Sequence, residues 1–428
     1  MSECDSPKQI FYDKESTMQQ TWRWFGPNDP VPLDHIRQAG AQGIVTSLHH
    51  IPTGDVWSDQ DIVQRKHEIE GENDTKAPLL WSVVESVNVH DDIKVAAPGH
   101  EKYVAAYCET LRALGRNGIR TVCYNFMPLI DWTRTSLNHQ LASGAATLYF
   151  DADKFAAFDL FILQRAFAEN DYTNEAYRRA KLSFEEMSVV DKEQLVKTIL
   201  TGLPGSTTGE HSLDSFRQSL KRYNGINDEQ LRINLINFLQ QIVPVAIEAG
   251  VNLAIHPDDP PRRLLGLPRV ICCAEDLRKI FAAVSAPANG LTLCAGTFGV
   301  RADNDLPLMA QEFSDRVYFA HLRGTKRATN PLSFQEADHL DSDVDMLGLI
   351  AALMNEEERR SKSGEPLSIP IRPDHGHRML DDLEKDGANP GYTAIGRLKG
   401  LAEIRGAIAA FSYVRKNLEQ GNETAVTS

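Results

Sequence analysis

The sequence predicts an α/β fold, a (β/α)8 TIM barrel with a largely helical insertion after the fourth strand. Three observations carry that prediction: eight short β-rich runs, helical patterns between most of them, and ligand-type side chains ending the later runs. Strand and helix alternating eight times is the pattern of a closed parallel barrel, whose active site lies at the carboxyl ends of its strands.

The expected strands span 21–26, 43–48, 79–85, 120–126, 251–255, 291–295, 316–322 and 367–372. Between the third and fourth, residues 101–118 place Val104, Tyr107, Cys108, Leu111 and Leu114 at helical spacing, with Gly118 as a stop. Further helices are expected at 230–250, again ending in Gly, and at 343–359 and 395–418, flanking the last strand. The connection that starts at 127 is far longer than a βα loop needs. It carries Trp132 and helical patterns near 154–167, 184–200 and 213–223, so 127–228 reads as an insertion over the barrel mouth. Such a segment is either a lid that excludes water or a peripheral subdomain or oligomer contact. The domain plan is a flexible extension at 1–20, one barrel domain at 21–418 and a tail at 419–428. Charged stretches at 71–76 and 356–365 read as solvated loops.

Composition narrows the function classes. Of 428 residues, 42% are hydrophobic and 24% charged, as in ordinary soluble domains. A net charge of −14 argues against nucleic acid as a partner, which needs concentrated positive surface. No run approaches the roughly 20 apolar residues that span a bilayer, and the polar first 20 residues lack the apolar stretch of a secretory signal. Six cysteines without a C-x-x-C pair fit reduced thiols in the cytoplasm. A homo-oligomer is expected.

The chemistry concentrates at strand ends. Residues 368–378 read Ser-Ile-Pro-Ile-Arg-Pro-Asp-His-Gly-His-Arg, an apolar run ending in Arg372, Asp374, His375 and His377. Together with His256, Cys294 and His321, Asp374 ends one of four consecutive strands, and in a barrel these four side chains converge. Imidazole, thiolate and carboxylate all bind divalent transition metals. A thiolate by itself suggests zinc. The mixed S, N and O donors, with positions left open for substrate, suit Mn2+ or Fe2+ equally. Arg372 shares the face of Asp374 and can hold a carboxylate, whereas Gly376 would supply the turn that brings His375 round. His49 and His50 end the second strand, Asn125 lies on the fourth, and Arg323 follows His321. These four are candidates for substrate binding. Tyr392, in a Gly/Pro turn, can swing over the mouth.

Several blocks then resemble one family. Thr21-Trp-Arg-Trp-Phe-Gly-Pro-Asn-Asp, Thr46-Ser-Leu-His-His-Ile-Pro, Val122-Cys-Tyr-Asn-Phe-Met-Pro, Ile255-His-Pro-Asp-Asp-Pro-Pro, His321-Leu-Arg and Arg372-Pro-Asp-His-Gly-His are similar to mannonate dehydratases of hexuronate degradation, in order and over most of the chain. The resemblance implies a xylose-isomerase-like barrel that dehydrates D-mannonate to 2-dehydro-3-deoxy-D-gluconate with Mn2+ or Fe2+. It implies His256, Cys294, His321 and Asp374 as metal ligands, and Arg372, His375 and Tyr392 as catalytic residues. His375 is favoured as the base and Tyr392 as the acid, though the sequence alone leaves the two roles exchangeable. Alternatives are a dehydratase of another aldonic acid, an isomerase or epimerase on the same barrel, and a non-catalytic sugar-acid binder.

Overall fold

Twelve strands run through the described residues of the computed structural model, which are 18–71, 76–130, 132–201, 212–365 and 368–426. In chain order they are Thr21–Arg23 (β1), Gly43–Thr46 (β2), Leu80–Glu85 (β3), Thr121–Tyr124 (β4), Ser136–Gln140 (β5), Ala146–Phe150 (β6), Asn252–Ile255 (β7), Asn289–Cys294 (β8), Val317–His321 (β9), Gly324–Arg327 (β10), Phe334–Ala337 (β11) and Ile371–Arg372 (β12). Eight of them, β1-β2-β3-β4-β7-β8-β9-β12, pair in parallel. A bridge from Gln20 to Ile371 joins the last strand to the first and closes the ring. All eight expected barrel strands are present, most of them shortened at one or both ends.

The barrel closes because its strands are apolar on both faces. Within β2, Ile44 packs outward into the helix-facing core, whereas Val45 joins Val83, Cys123 and Phe319 in a separate interior layer. The helix Asp228–Ala249 shows how the surrounding layer is delimited. Its N-cap Asn227 accepts the Gln230 N–H at 2.9 Å, and Gly250 stops it at φ +64°.

The insertion is helical at Ala152–Ala157, Phe158–Leu163, Asn174–Glu186, Val189–Thr201 and Leu213–Lys221. Its helices also carry a feature not expected from the sequence. The hairpin β5–β6 joins β10 and β11 in a second sheet, ordered β10-β11-β6-β5. This sheet stitches the insertion to the loop after β9. Phe150 of β6 stacks on Phe334 of β11 at 5.5 Å, within a separate core that includes Phe155, Phe158 and Phe216. Each fully buried Phe contributes about 1.5–3 kcal/mol.

Four boundaries differ from expectation, the first being the expected solvated loop 356–365, which is helix as far as Lys362 with Glu356, Glu357 and Arg360 buried. The expected extension 1–20 lies outside the described residues up to 17, and beyond that Met18 is buried and Gln20 completes the barrel. Residues 72–75 and 366–367, within or beside expected loops, also lie outside them. The expected strand 367–372 is only Ile371–Arg372, because Pro370 and Pro373 lack N–H donors. The tail expected from 419 is instead helix as far as Val426, continuing the helix that begins at Ala394.

Candidate active site

Cys294 and His321 are register partners at the carboxyl ends of β8 and β9, and His256 follows β7 directly. The pairing brings one donor atom from each of the three within 4.8 Å of the others. Asp374 closes the group, with Oδ2 4.0 Å from Cys294 Sγ and 3.8 Å from His321 Nδ1. The His256 Nδ1–H donates to the Pro257 carbonyl at 2.7 Å, which leaves Nε2 as the nitrogen available to a cation. Both His321 nitrogens are buried without a hydrogen-bond partner, and an orphaned buried imidazole is costly. A divalent cation among these four side chains accounts for that arrangement, so the residues fit a metal.

Electrostatics prepare the ligands. Burial, then the Arg372 guanidinium, holds the His321 imidazole well below its ordinary value, and so neutral. Burial pulls His256 down as well, but the Cys294 side chain beside it raises it to about 9. Burial alone would raise Asp374, yet the Arg372 guanidinium beside it holds it well below the usual carboxylate range. Arg372 NH1 is ion-paired with Asp374 Oδ1 at 2.8 Å and its NH2 donates to Glu85 Oε1 at 3.0 Å, so it does share the face of Asp374. The turn after β12 is taken by Asp374 itself, at φ +64°, and not by Gly376. Gly376 is needed for another reason: a Cβ there would lie 2.3 Å from the Gly396 carbonyl carbon.

That left-handed turn swings His375 to the same side. Its Nε2 lies 3.2 Å from the Tyr392 hydroxyl and its Nδ1 lies 3.2 Å from Glu336 Oε1. Burial pushes the Tyr392 phenol up to about 12, against the pull of Arg372, so it stays protonated at neutral pH. The Trp132 ring meets His375 edge-on at 6.1 Å, so the long connection after β4 brings this side chain to the site.

Residues 18–418 match the sequence profile of the family described as D-mannonate dehydratase (UxuA). The chain belongs to the D-mannonate dehydratase family. It is 51% identical to a mannonate dehydratase of Marinomonas sp. (strain MWYL1), over 91% of this chain and 98% of that relative. It is 52% identical to one from Chromohalobacter salexigens, over 93% and 100%. The crystal structure of a mannonate dehydratase from Streptococcus suis serotype 2 superposes with a TM-score of 0.72 at 29% identity, covering 93% of this chain and 95% of that one. The barrel expected from the family resemblance is thus the barrel observed.

The remaining expected residues of this dehydratase fall into two groups. Arg323 is in the centre, 2.8 Å from Asp259, 3.3 Å from Asp374 and 3.4 Å from His375 Nδ1. Gly296 makes room for it, since a Cβ would fall 1.9 Å from its Nε. His49 lies nearby, with Nε2 3.1 Å from Arg23 and its ring 5.6 Å from Phe25, which in turn packs on Tyr392 at 5.0 Å. Asn125 caps its own turn, accepting from Met127 N–H at 3.2 Å. His50 is not brought to the site: its side chain is 60% exposed, 3.9 Å from Asp61.

Sequence reasoning missed a buried ionic lattice. Arg134, entirely buried, bridges Asp259 and Glu336 at 2.9 Å each. Glu85, ending β3, faces Arg372 and also His321 Nε2, at 3.5 Å. Glu85 could have been found as a carboxylate at a strand end. Glu336 lies on a strand of the second sheet, and nothing in its own segment marks it.

Proposed function

We propose that this chain dehydrates D-mannonate to 2-dehydro-3-deoxy-D-gluconate and water in hexuronate breakdown, with Mn2+ or Fe2+ held by His256, Cys294, His321 and Asp374. One observation carries the reading: four donors converge at the strand ends beside a hydrogen-bonded Tyr392–His375 pair. The family and the names of the relatives supply the substrate.

When bound, the cation acts as a Lewis acid that draws charge from the substrate carboxylate and acidifies the proton on C2. The chain supplies the rest. The Tyr392 hydroxyl, being protonated, donates to His375 Nε2, which is therefore a base holding a lone pair. Nε2 takes the C2 proton, Tyr392 gives its proton to the C3 hydroxyl, and water leaves. The resulting enol ketonises to the 2-keto-3-deoxy acid. The imidazolium then returns its proton to the phenolate across the same 3.2 Å contact, which resets the pair. Arg372, Arg323, His49 and Asn125 are assigned to holding the substrate.

Charge supports an anionic substrate over a neutral sugar. Among the described residues at the centre, Arg23, Arg134, Arg323 and Arg372 are matched by Glu85, Asp259, Glu336 and Asp374. A divalent ion on the Cys294 thiolate then leaves one positive charge, which a monoanionic sugar acid neutralises. The same reading makes the enzyme a cytoplasmic homo-oligomer, supported by free cysteines and by exposed Phe167, Val189 and Val190 on the insertion.

The test is turnover. Chelated protein should form no keto acid from D-mannonate, and Mn2+ or Fe2+ should restore the activity. His375→Ala and Tyr392→Phe should each lower kcat by about two to four orders of magnitude while keeping the metal. Wild-type turnover in both variants would refute the assignment.

A further inference from the structure

The geometry points to Glu336 as the residue that positions the catalytic imidazole. The inference rests on the reading of His375 as the base. Glu336 comes from β11, in the second sheet rather than the barrel, and is buried. Its Oε1 lies 3.2 Å from His375 Nδ1 and also accepts from Arg134 at 2.9 Å, while Oε2 faces Arg323 Nε at 3.3 Å.

Two groups compete for His375 Nδ1. Arg323 NH1, a donor only, is 3.4 Å away, and Glu336 Oε1 is nearer. Burial works to raise the carboxyl of Glu336, but the Arg323 guanidinium, then the contact with His375 and the Arg134 guanidinium, hold it low, at about 2. A carboxylate only accepts, so an unprotonated Nδ1 at this distance would set lone pair against lone pair. The ring therefore carries its proton on Nδ1 and gives it to Glu336. Nε2 is left as the lone pair, aimed at Tyr392 and the substrate. Glu336 thus fixes the tautomer and the ring plane without touching substrate. The sheet that carries it is tied to the segment after β12 by the Ala146–Arg378 bridge, and within the sheet the Thr147 hydroxyl of β6 donates to the Glu336 carbonyl at 3.1 Å.

Two variants test this. In Glu336→Gln the amide nitrogen can donate to Nδ1 and favour the wrong tautomer. In Glu336→Asp the charge facing Arg134 and Arg323 is kept but the carboxylate is withdrawn from His375. Both should retain full metal content and a little-changed KM, with kcat reduced on the order of 100-fold or more. The primary isotope effect on kcat with C2-deuterated D-mannonate should grow, because proton abstraction becomes the slow step. A structural role would lower the active fraction and leave that isotope effect where it was. Unchanged kcat, metal loss in step with activity, or an unmoved isotope effect in the folded variants overturns the inference. If Glu336→Gln does not fold, Glu336→Asp decides. Wild-type turnover in His375→Ala would instead remove the base, which is a failure of the underlying reading.

Discussion

Asp374 combines the carboxylate proposed as a metal ligand with a left-handed backbone at φ +64°, a conformation that costs roughly 1–3 kcal/mol in a non-glycine residue. Asn tolerates the same backbone, so Asp374→Asn should fold normally. It should lose metal, because a neutral amide is a weak donor. Arg372→Lys should do the reverse. It leaves the donor set intact but cannot reproduce the fork that spans Asp374 at 2.8 Å and Glu85 at 3.0 Å. One lost hydrogen bond to a charged group is worth about 1.5–3 kcal/mol, roughly 10- to 150-fold in kcat/KM. Elemental analysis and steady-state kinetics on the two proteins separate ligand from anchor, and metal loss in Arg372→Lys would merge the roles. At this scale the sequence was readable wherever a polar side chain ended an apolar run, as with His256, Cys294 and His321. It misled at His50, where adjacency to His49 hid the fact that neighbours at a strand end face different ways.

Elements were readable in proportion to their periodicity. The helices Glu101–Arg116 and Asp228–Ala249 and the eight barrel strands follow from local pattern. The second sheet does not, because β10 and β11 are short, mixed in polarity and paired to a hairpin far away in the chain. Only Ala146-Thr-Leu-Tyr-Phe150, following the Ser-Gly turn at 143–144, carried a strand signal. That sheet and the lattice beneath it act together. Arg134 leads into β5 and clamps Asp259, which follows β7, and Glu336 of β11. Replacing it by Met would leave Asp259 and Glu336 to share Arg323, one buried negative charge short of a partner, so Arg134→Met should lose about 3–5 kcal/mol of stability. Denaturant unfolding measures this, and a change below 1 kcal/mol (about the worth of an exposed pair) would mean the lattice is loosely coupled.

Across the whole molecule, ring closure depends on how β12 is approached. Glu357, on the helix Met346–Lys362, accepts from the Ile369 N–H and from the Ser368 hydroxyl, and burial pushes its carboxyl up to about 7. A folded value above the ordinary 4.5 means that the fold prefers the protonated form. Stability from this group therefore falls as pH rises from 4.5 through 7 and stays low above that. Glu357→Gln keeps the acceptor and removes the charge. It should melt higher than the parent at pH 8, with the gap narrowing toward pH 5, and an equal gap at both pH values would exclude a titrating Glu357. The bridge that this approach serves has a further consequence, for biosynthesis. Ile371 pairs with both β9 and the Gln20 edge, and Asp374 lies three residues later. The segment that shuts the ring is thus the one that delivers the final donor and His375. On the ribosome, a nascent chain gains the last of its four proposed ligands only as its barrel becomes able to close, so a message truncated before codon 371 yields no closed barrel.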